Sequence, residues 1–345
     1  MFLESVKAKD FRNLNGGTKE TGLGLELSRG VNILTGMNAQ GKTNFIEAVY
    51  FCATARSHRT ANHGELIRFG EDAALISINV SRGVDGRYKD RIEMSLKRTG
   101  KNAVVKSARV NGVPIDKLGD LLGILYCVIF SPENLSLVKS GPGERRRFMD
   151  MELCQVSKVY YYELKQYYHI LRQRNALLKG MQKGAGAGDT LELWDAQLAE
   201  SGGRIVSLRR AYIESISRVA AGIHQRICGE EFSAVYRPSV TAGEFLDKLK
   251  KNRETDIRNG STGCGVHKDD VQFIINGLDS RVYGSQGQQR TTALSLKLAE
   301  VIMIREEKGE TPLLLLDDVM SELDAARQEH LLSAISGAQT IITCT

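Results

Sequence analysis

Residues 36–43 of this 345-residue chain read Gly36-Met37-Asn38-Ala39-Gln40-Gly41-Lys42-Thr43. The run fits G-x-x-x-x-G-K-[ST], a phosphate-binding P-loop. Apolar residues at 31–34 predict a buried strand leading into it, and Asn44 opens a run to residue 51 that predicts an amphipathic helix. The strand and helix separate a phosphate cradle from a chance glycine-rich turn. Glycines let backbone N–H groups converge on phosphate oxygens, and the helix N-terminus adds its positive dipole end. Lys42 is then expected to neutralise the β- and γ-phosphates of a nucleotide, and the Thr43 hydroxyl to hold Mg²⁺.

The acidic half of such a site is far down the chain. Four leucines at 313–316 run into Asp317 and Asp318, the Walker B pattern of a buried strand ending in carboxylates. Asp317 is expected to serve the metal beside Thr43, and Asp318 to polarise the attacking water. Just before that strand, Ser285-Gln286-Gly287-Gln288 opens a helix and offers a second anion-binding surface. The local alternative is a plain helix cap, with Ser285 as N-cap and Gln288 reaching back. A second phosphate cradle predicts nucleotide held between two copies of the chain.

The rest of the chain predicts an α/β head interrupted by helices. Alternating residues at 3–9, 23–27, 73–80, 88–96 and 104–110 read as strands, with turns at Asn15-Gly16-Gly17 and Asn111-Gly112. Residues 123–130 are too apolar for a one-sided strand and are expected in the centre of the main sheet. From residue 144 to 181 apolar residues recur at helical spacing, then a glycine-rich loop at 180–188 precedes a second long stripe at 191–223, weakened by Gly202-Gly203. The pair reads as an antiparallel helical arm. A hairpin is expected from 271–275 and 281–283. The predicted division is 1–140 and 257–345 as the two parts of the head, with 141–256 as a mostly helical lobe.

A net charge of +6 suits a phosphate-rich partner. The six cysteines are scattered without a C-x-x-C, which predicts reduced thiols in a cytoplasmic protein rather than a zinc site or disulfide framework. The first residues lack the pattern of a signal peptide, and no apolar run approaches the roughly 20 residues that span a bilayer; no membrane association is expected.

In order, these pieces resemble the ABC-type ATPase heads of the SMC/Rad-fifty group, and within it the RecF family. The resemblance is carried by Phe11-Arg12-Asn13-Leu14, the P-loop, Ser57-His58-Arg59-Thr60, Phe130-Ser131-Pro132-Glu133, Arg145-Arg146-Arg147-Phe148-Met149-Asp150, His267-Lys268-Asp269-Asp270, Ser285–Arg290 and the run from Leu314 to Asp324. It implies an ABC-type head with mixed and antiparallel sheets, monomeric without ATP and forming a head-to-tail homodimer around two ATP molecules. The dimer would bind double-stranded and gapped or single-strand junction DNA, hydrolyse ATP slowly, and act with RecO- and RecR-like partners in recombinase loading and replication-fork maintenance. It also implies that Arg12 and Asn13 lie near the base or ribose, that Ser285 and Gly287 reach the γ-phosphate in the opposite subunit, and that Asp324 links the two sites.

The chain departs from the pattern in places. Its signature reads Ser-Gln-Gly-Gln where transporter ATPases usually carry Ser-Gly-Gly-Gln, and the expected base is Asp318 where many use Glu. Gly265-Val266-His267-Lys268 stands where Gly-Pro-His-Arg is common. No Q-loop glutamine is assigned, and the switch residue falls to Thr343 or Thr345. Basic clusters offered for DNA are Arg145-Arg146-Arg147, Arg209-Arg210 and the lysines around Lys250, none pointing to base-specific reading. His58 and His267 lie in motif segments that could be near the nucleotide. Other uses of a P-loop remain: an ABC transporter's nucleotide-binding subunit, an SMC-like structural ATPase, or a small-molecule kinase. The helical arm and basic charge argue against the first and the arm's shortness against the second. The third leaves the signature and Ser-Glu-Leu-Asp segments without a role.

Overall fold

The computed structural model describes residues 1–15, 22–83, 86–100, 103–135, 137–184 and 188–344. Gly16 and Gly17 of the first predicted turn, residues 185–187 of the glycine-rich loop, and Thr345 lie outside them. Contacts divide the chain into two compact units, residues 1–136 with 293–345, and residues 137–292.

In the first unit, β1 (Phe2–Lys9), β2 (Leu23–Glu26), β3 (Val31–Thr35) and α1 (Lys42–Thr54) are followed by β4 (Ala73–Arg82), β5 (Tyr88–Arg98), β6 (Val104–Val110), β7 (Val113–Ile115), β8 (Cys127–Phe130) and the short α2 (Pro132–Leu135). Six of these strands form an antiparallel sheet in the order β2-β1-β4-β5-β6-β7. The second unit contains α3 (Pro142–Val156), α4 (Lys158–Gln182), α5 (Gly188–Cys228), β9 (Phe232–Arg237), α6 (Phe245–Asn259), β10 (Asp270–Ile275), β11 (Leu278–Asp279) and the one-turn α7 (Ser280–Tyr283). The division between units falls within α8 (Gln286–Lys308). Then β12 (Leu313–Asp317), α9 (Ala325–Ala334) and β13 (Thr340–Cys344) return the chain to the first unit.

The second sheet of the first unit is parallel, ordered β3-β13-β12-β8. The leucine-rich β12 is central and fully buried, as a strand covered on both faces must be. The strand before the P-loop is different. β3 is an edge strand, and Val31 and Ile33 are 56% and 60% exposed; alternation shows one face open rather than the buried strand expected. Helix α1 departs in the other direction. Every residue from Phe45 to Thr54 is buried, because the helix packs against strands of both sheets, so it has no solvent face to be amphipathic about. Gln339 ties the ends of the chain together: its side-chain oxygen accepts from Leu3 N at 2.6 Å and its amide donates to Leu3 O and Ser28 O at 2.8 and 2.7 Å.

The second unit corrects several expectations. The helix predicted across 144–181 is two helices, broken where Ser157 takes an extended backbone and caps α4 by accepting from Tyr160 N. By contrast α5 runs 41 residues through Gly202-Gly203. A Cβ on Gly202 would overlap the Phe245 ring, so this glycine lets the α6 aromatic close on the helix. The hairpin partner of β10 is only Leu278–Asp279, since Asp279 accepts from Arg281 N and starts α7 instead of a strand. Residues 257–292 cluster with the helical unit, not with the head, because β10 pairs along its length with β9.

Candidate nucleotide-binding site

The sheet order explains how the first unit assembles a site from distant segments. β12 and β3 both flank β13 in parallel register, with Asp317 paired to Thr343 and Thr343 to Leu34. The C-terminal ends of these strands therefore lie side by side, the usual ligand position in an open parallel sheet. There Thr43 Oγ1 donates to Asp317 Oδ1 at 2.9 Å. Thr343 donates to the same oxygen at 3.0 Å and accepts from Asp318 N at 2.9 Å. Thr343 is thus at the site. Asp317 is 3% exposed. Burial raises its pKa, against the lowering effect of the two threonine hydroxyls, with Glu133 adding repulsion. A hard divalent cation is the group such a buried carboxylate and threonine would fit, and it would relieve the cost of burying the charge. Asp318 takes a left-handed backbone, φ 53°, and is exposed.

The P-loop is braced from outside. Ala39 and Gly41 have φ of 65° and 98°, the turned backbone that aims successive N–H groups inward. Asn13 Nδ2 donates to Ala39 O at 3.0 Å, and Asn44 Nδ2 donates to Asn13 Oδ1 at 2.8 Å. A Cβ on Gly41 would meet Asn13 Oδ1 at 2.7 Å. Lys42 Nζ donates to Gly36 O and to Met37 O, which keeps the ammonium inside the loop. Gly36, Met37, Asn38, Ala39 and Gln40 are all exposed.

A hub that motif reading passes over is Glu47, on α1 and fully buried. It accepts a two-pronged bond from Arg12 at 2.8 and 2.9 Å, one from Ser57 Oγ at 2.5 Å, and a longer one from Arg59 at 3.4 Å. Burial alone would raise its pKa, but the Arg12 and Ser57 hydrogen bonds reverse this and the net shift is downward. Arg59 also donates to Asn44 Oδ1 at 2.9 Å. Phe11-Arg12-Asn13-Leu14 and Ser57-His58-Arg59-Thr60 are therefore two arms of one brace around α1. Its i+4 spacing from Thr43 on a helix is the available signal. Beside the brace lies an open cleft of about 660 Å³, lined among others by Arg12, Asn13, Asn44, Arg68 and Phe69. Phe69 is fully exposed. His58 packs edge-on to Tyr50, with ring centroids 5.7 Å apart.

Ser285 and Gln288, in the second unit, form a reciprocal cap: Gln288 N donates to Ser285 Oγ at 3.2 Å and Ser285 N donates to Gln288 Oε1 at 2.9 Å. The helix-cap reading is structurally correct, and it leaves Ser285 exposed at the start of α8. Asp324 caps α9 by accepting from Arg327 N at 2.9 Å. His267 lies in the second unit, with Nδ1 2.9 Å from the Tyr167 hydroxyl.

A match to the RecF/RecN/SMC N terminal domain model covers residues 2–345. The chain is 45% identical to the DNA replication and repair protein RecF of Lachnospira eligens, covering all of this chain and 93% of that one. This chain belongs to the RecF family. A RecF protein of Acetivibrio thermocellus is 42% identical over the whole chain and 93% of its own length. Among solved structures, the recombination mediator protein RecF with ATP, of the RecFOR pathway, superposes with a TM-score of 0.92 at 37% identity, covering 100% of this chain and 92% of that one. The Smc head domain of Pyrococcus furiosus shares the fold, with a TM-score of 0.54 at 17% identity.

Within this RecF-family chain, two arginines offered for DNA are structural. Arg209 is fully buried, donating to Asp150, Asp269, Tyr160 and the Val266 carbonyl at 2.7 to 2.9 Å. Arg145 is 3% exposed and grips Asp270 at 2.7 and 2.8 Å. Buried guanidinium groups with this many partners hold the lobe together and present no surface to a phosphate backbone. Arg146 is half-buried and donates to Asp269 O at 2.7 Å, and Arg147 faces Glu144 at 4.0 Å. Arg210 and Lys250 are exposed. Among the described residues, no helix is long and apolar enough to cross a membrane.

Proposed function

We propose that this chain is an ATP-gated DNA-binding ATPase that acts as a recombination mediator in DNA repair and replication. The observation that carries the reading is the Thr43–Asp317 hydrogen bond, which joins P-loop and Walker B into one phosphate and metal site. Residues 36–44 cradle the phosphates, with Lys42 supplying the positive charge. Arg12 and Asn13, held by Glu47 and Ala39, border the cleft that receives base and ribose. Mg²⁺, held by Thr43 and Asp317, would neutralise charge on the phosphate oxygens. Asp318 orients water. The carboxylate is one methylene shorter than the glutamate usual in such ATPases, which favours slow turnover.

The second half of each site comes from another copy. Ser285, Gly287 and Gln288 start α8 with an exposed hydroxyl, and the adjoining Val282 and Tyr283 are 67% and 69% exposed. Met37 on the P-loop is 79% exposed. Apolar side chains open to solvent beside a signature and a P-loop suit a surface that closes on nucleotide. ATP then acts as a link between two subunits on double-stranded or gapped DNA, Asp324 couples the two sites, and hydrolysis releases them. RecO- and RecR-like proteins are the partners this role needs.

The test is light scattering with ATP, with and without duplex DNA. Wild type should dimerise with nucleotide; Lys42→Ala and Ser285→Arg should not. Asp318→Asn should keep or lengthen dimerisation while losing turnover. A chain that stays monomeric in every condition would overturn the reading.

A further inference from the structure

The geometry points to a second metal site, for a zinc-class divalent cation, at the C-terminus of α5. His224 Nε2, Cys228 Sγ and a Glu230 carboxylate oxygen lie within 4.8 Å of one another. The local chain explains why. His224 and Cys228 are four residues apart and so share one helix face. Gly229, at φ 75°, then turns the chain back so that Glu230 faces the same point. Cys228 Sγ is 3.5 Å and His224 Nε2 is 3.9 Å from Glu230 Oε2. Ligands around a tetrahedral zinc stand about 3.5 Å apart, given bonds of about 2.0 to 2.3 Å. Two edges of the tetrahedron are therefore nearly in place, and the exposed Cys228 side chain has room to close the third.

The donor set is one neutral imidazole, one thiol that becomes thiolate on binding, and one carboxylate. That mixture selects zinc-class ions over Mg²⁺ or Ca²⁺, which take oxygen ligands. The imidazole is held in place: His224 is fully buried and its ring stacks on Phe232 at 5.2 Å and 29°. With three protein ligands and one open position, the centre would complete its shell with water. Cys228 gives up its hydrogen bond to the His224 carbonyl, at 3.3 Å, and loses its proton as the metal–sulfur bond forms.

The site also touches the signature segment. Glu230 turns Oε2 toward His224 and Cys228, while Oε1 accepts from Gln288 Nε2 at 2.6 Å and from Asn276 Nδ2 at 3.2 Å. An ion on Oε2 fixes the carboxylate whose other oxygen holds Gln288, so occupancy stiffens the first turn of α8. The metal is thus a clamp on the start of α8.

Cobalt(II) is the probe. The metal-stripped full chain should bind it with a thiolate-to-cobalt charge-transfer band in the near ultraviolet, one site per chain, abolished by added Zn²⁺. Cobalt at Thr43 and Asp317 gives no such band, because no sulfur is there. Cys228→Ser, at an exposed position, should remove the band, and Glu230→Gln should weaken binding at least tenfold. Hydrogen exchange of the 284–292 segment should slow at least threefold with Zn²⁺ in wild type and not in Cys228→Ser. No band in wild type, or an undiminished band in Cys228→Ser, overturns the site. Zinc-independent exchange at 284–292 overturns the clamp.

Discussion

Thr43 gives its hydroxyl hydrogen to Asp317 across 274 residues of sequence. The same carboxylate oxygen takes a second bond from Thr343. Asp317 and Thr343, at the ends of two neighbouring parallel strands, and Thr43, at the start of α1, thus form the inner wall of the site. Asp317→Asn should reduce ATP turnover at least 100-fold, in line with losing the carboxylate that would hold the metal against the reacting phosphates. Its stability effect has a defined sign. The folded-state pKa of Asp317 is raised, so its contribution favours folding at acid pH and is lost as pH rises through that pKa. Without nucleotide or metal, the Asn variant should be as stable as wild type or more so at neutral pH. Urea denaturation at pH 7 beside an ATPase assay checks both; a variant that unfolds more easily contradicts the assignment.

Glu47→Gln tests the brace. The charge that holds Arg12 and accepts from Ser57 is fully buried, and breaking such pairs costs about 3 kcal/mol. Nucleotide affinity should fall about tenfold as Arg12 and Arg59 lose their anchor, measured by fluorescent-ATP titration. Glu47 has a lowered folded pKa. Its stabilisation is present above the ordinary carboxylate range and fades as pH falls through the folded value. Wild type should therefore lose stability in acid faster than Glu47→Gln.

Arginines from the same basic clusters should separate by burial. Arg209→Met should cost about 3–5 kcal/mol, because Asp150 and Asp269 are left as buried charges. Arg210→Ala and Lys250→Ala, both exposed, should change stability by less than about 0.5 kcal/mol. If either touches DNA, removing it lowers the dependence of log affinity on log salt by about one. Thermal melts and binding at several salt concentrations distinguish the two classes.

Lys106 provides a pH signature. Burial, helped by repulsion from Arg56, lowers its pKa to about 8, although Nζ donates to Ala55 O at 3.0 Å and lies 3.2 Å from His63 Nε2. The unfolded chain holds this proton more tightly, so stability should rise as pH goes from about 8 to 10. Lys106→Met should flatten that rise. A pH series of denaturation midpoints that is parallel for the two proteins rules the burial penalty out.

Much of the site is legible in the residues alone. Gly36–Thr43, Asp317 and the Ser285 segment are contiguous motifs whose chemistry depends on residue type and spacing. The buried β12 is equally plain, since four successive leucines leave no polar face. Glu47 stays hidden because its partners Arg12, Ser57 and Arg59 come from two segments outside the helix, and the i+4 spacing from Thr43 does not by itself show that they converge on it. Arg145 and Arg209 mislead for the same reason: a basic cluster reads alike whether solvent or a carboxylate faces it.

What the sequence determined by itself was the family, the phosphate cradle and the acidic strand, all set by short-range order along the chain. Tertiary structure alone decided which charges are neutralised inside and which face water. It brought Asp317 and Thr343, at the C-terminal ends of two neighbouring parallel strands, against Thr43 at the start of α1. It also made β3 a half-exposed edge, let Gly202 admit Phe245, and gathered His224, Cys228 and Glu230. The physical reason is that burial and pairing depend on partners distant in sequence, and a charged side chain does not carry its partner's identity with it.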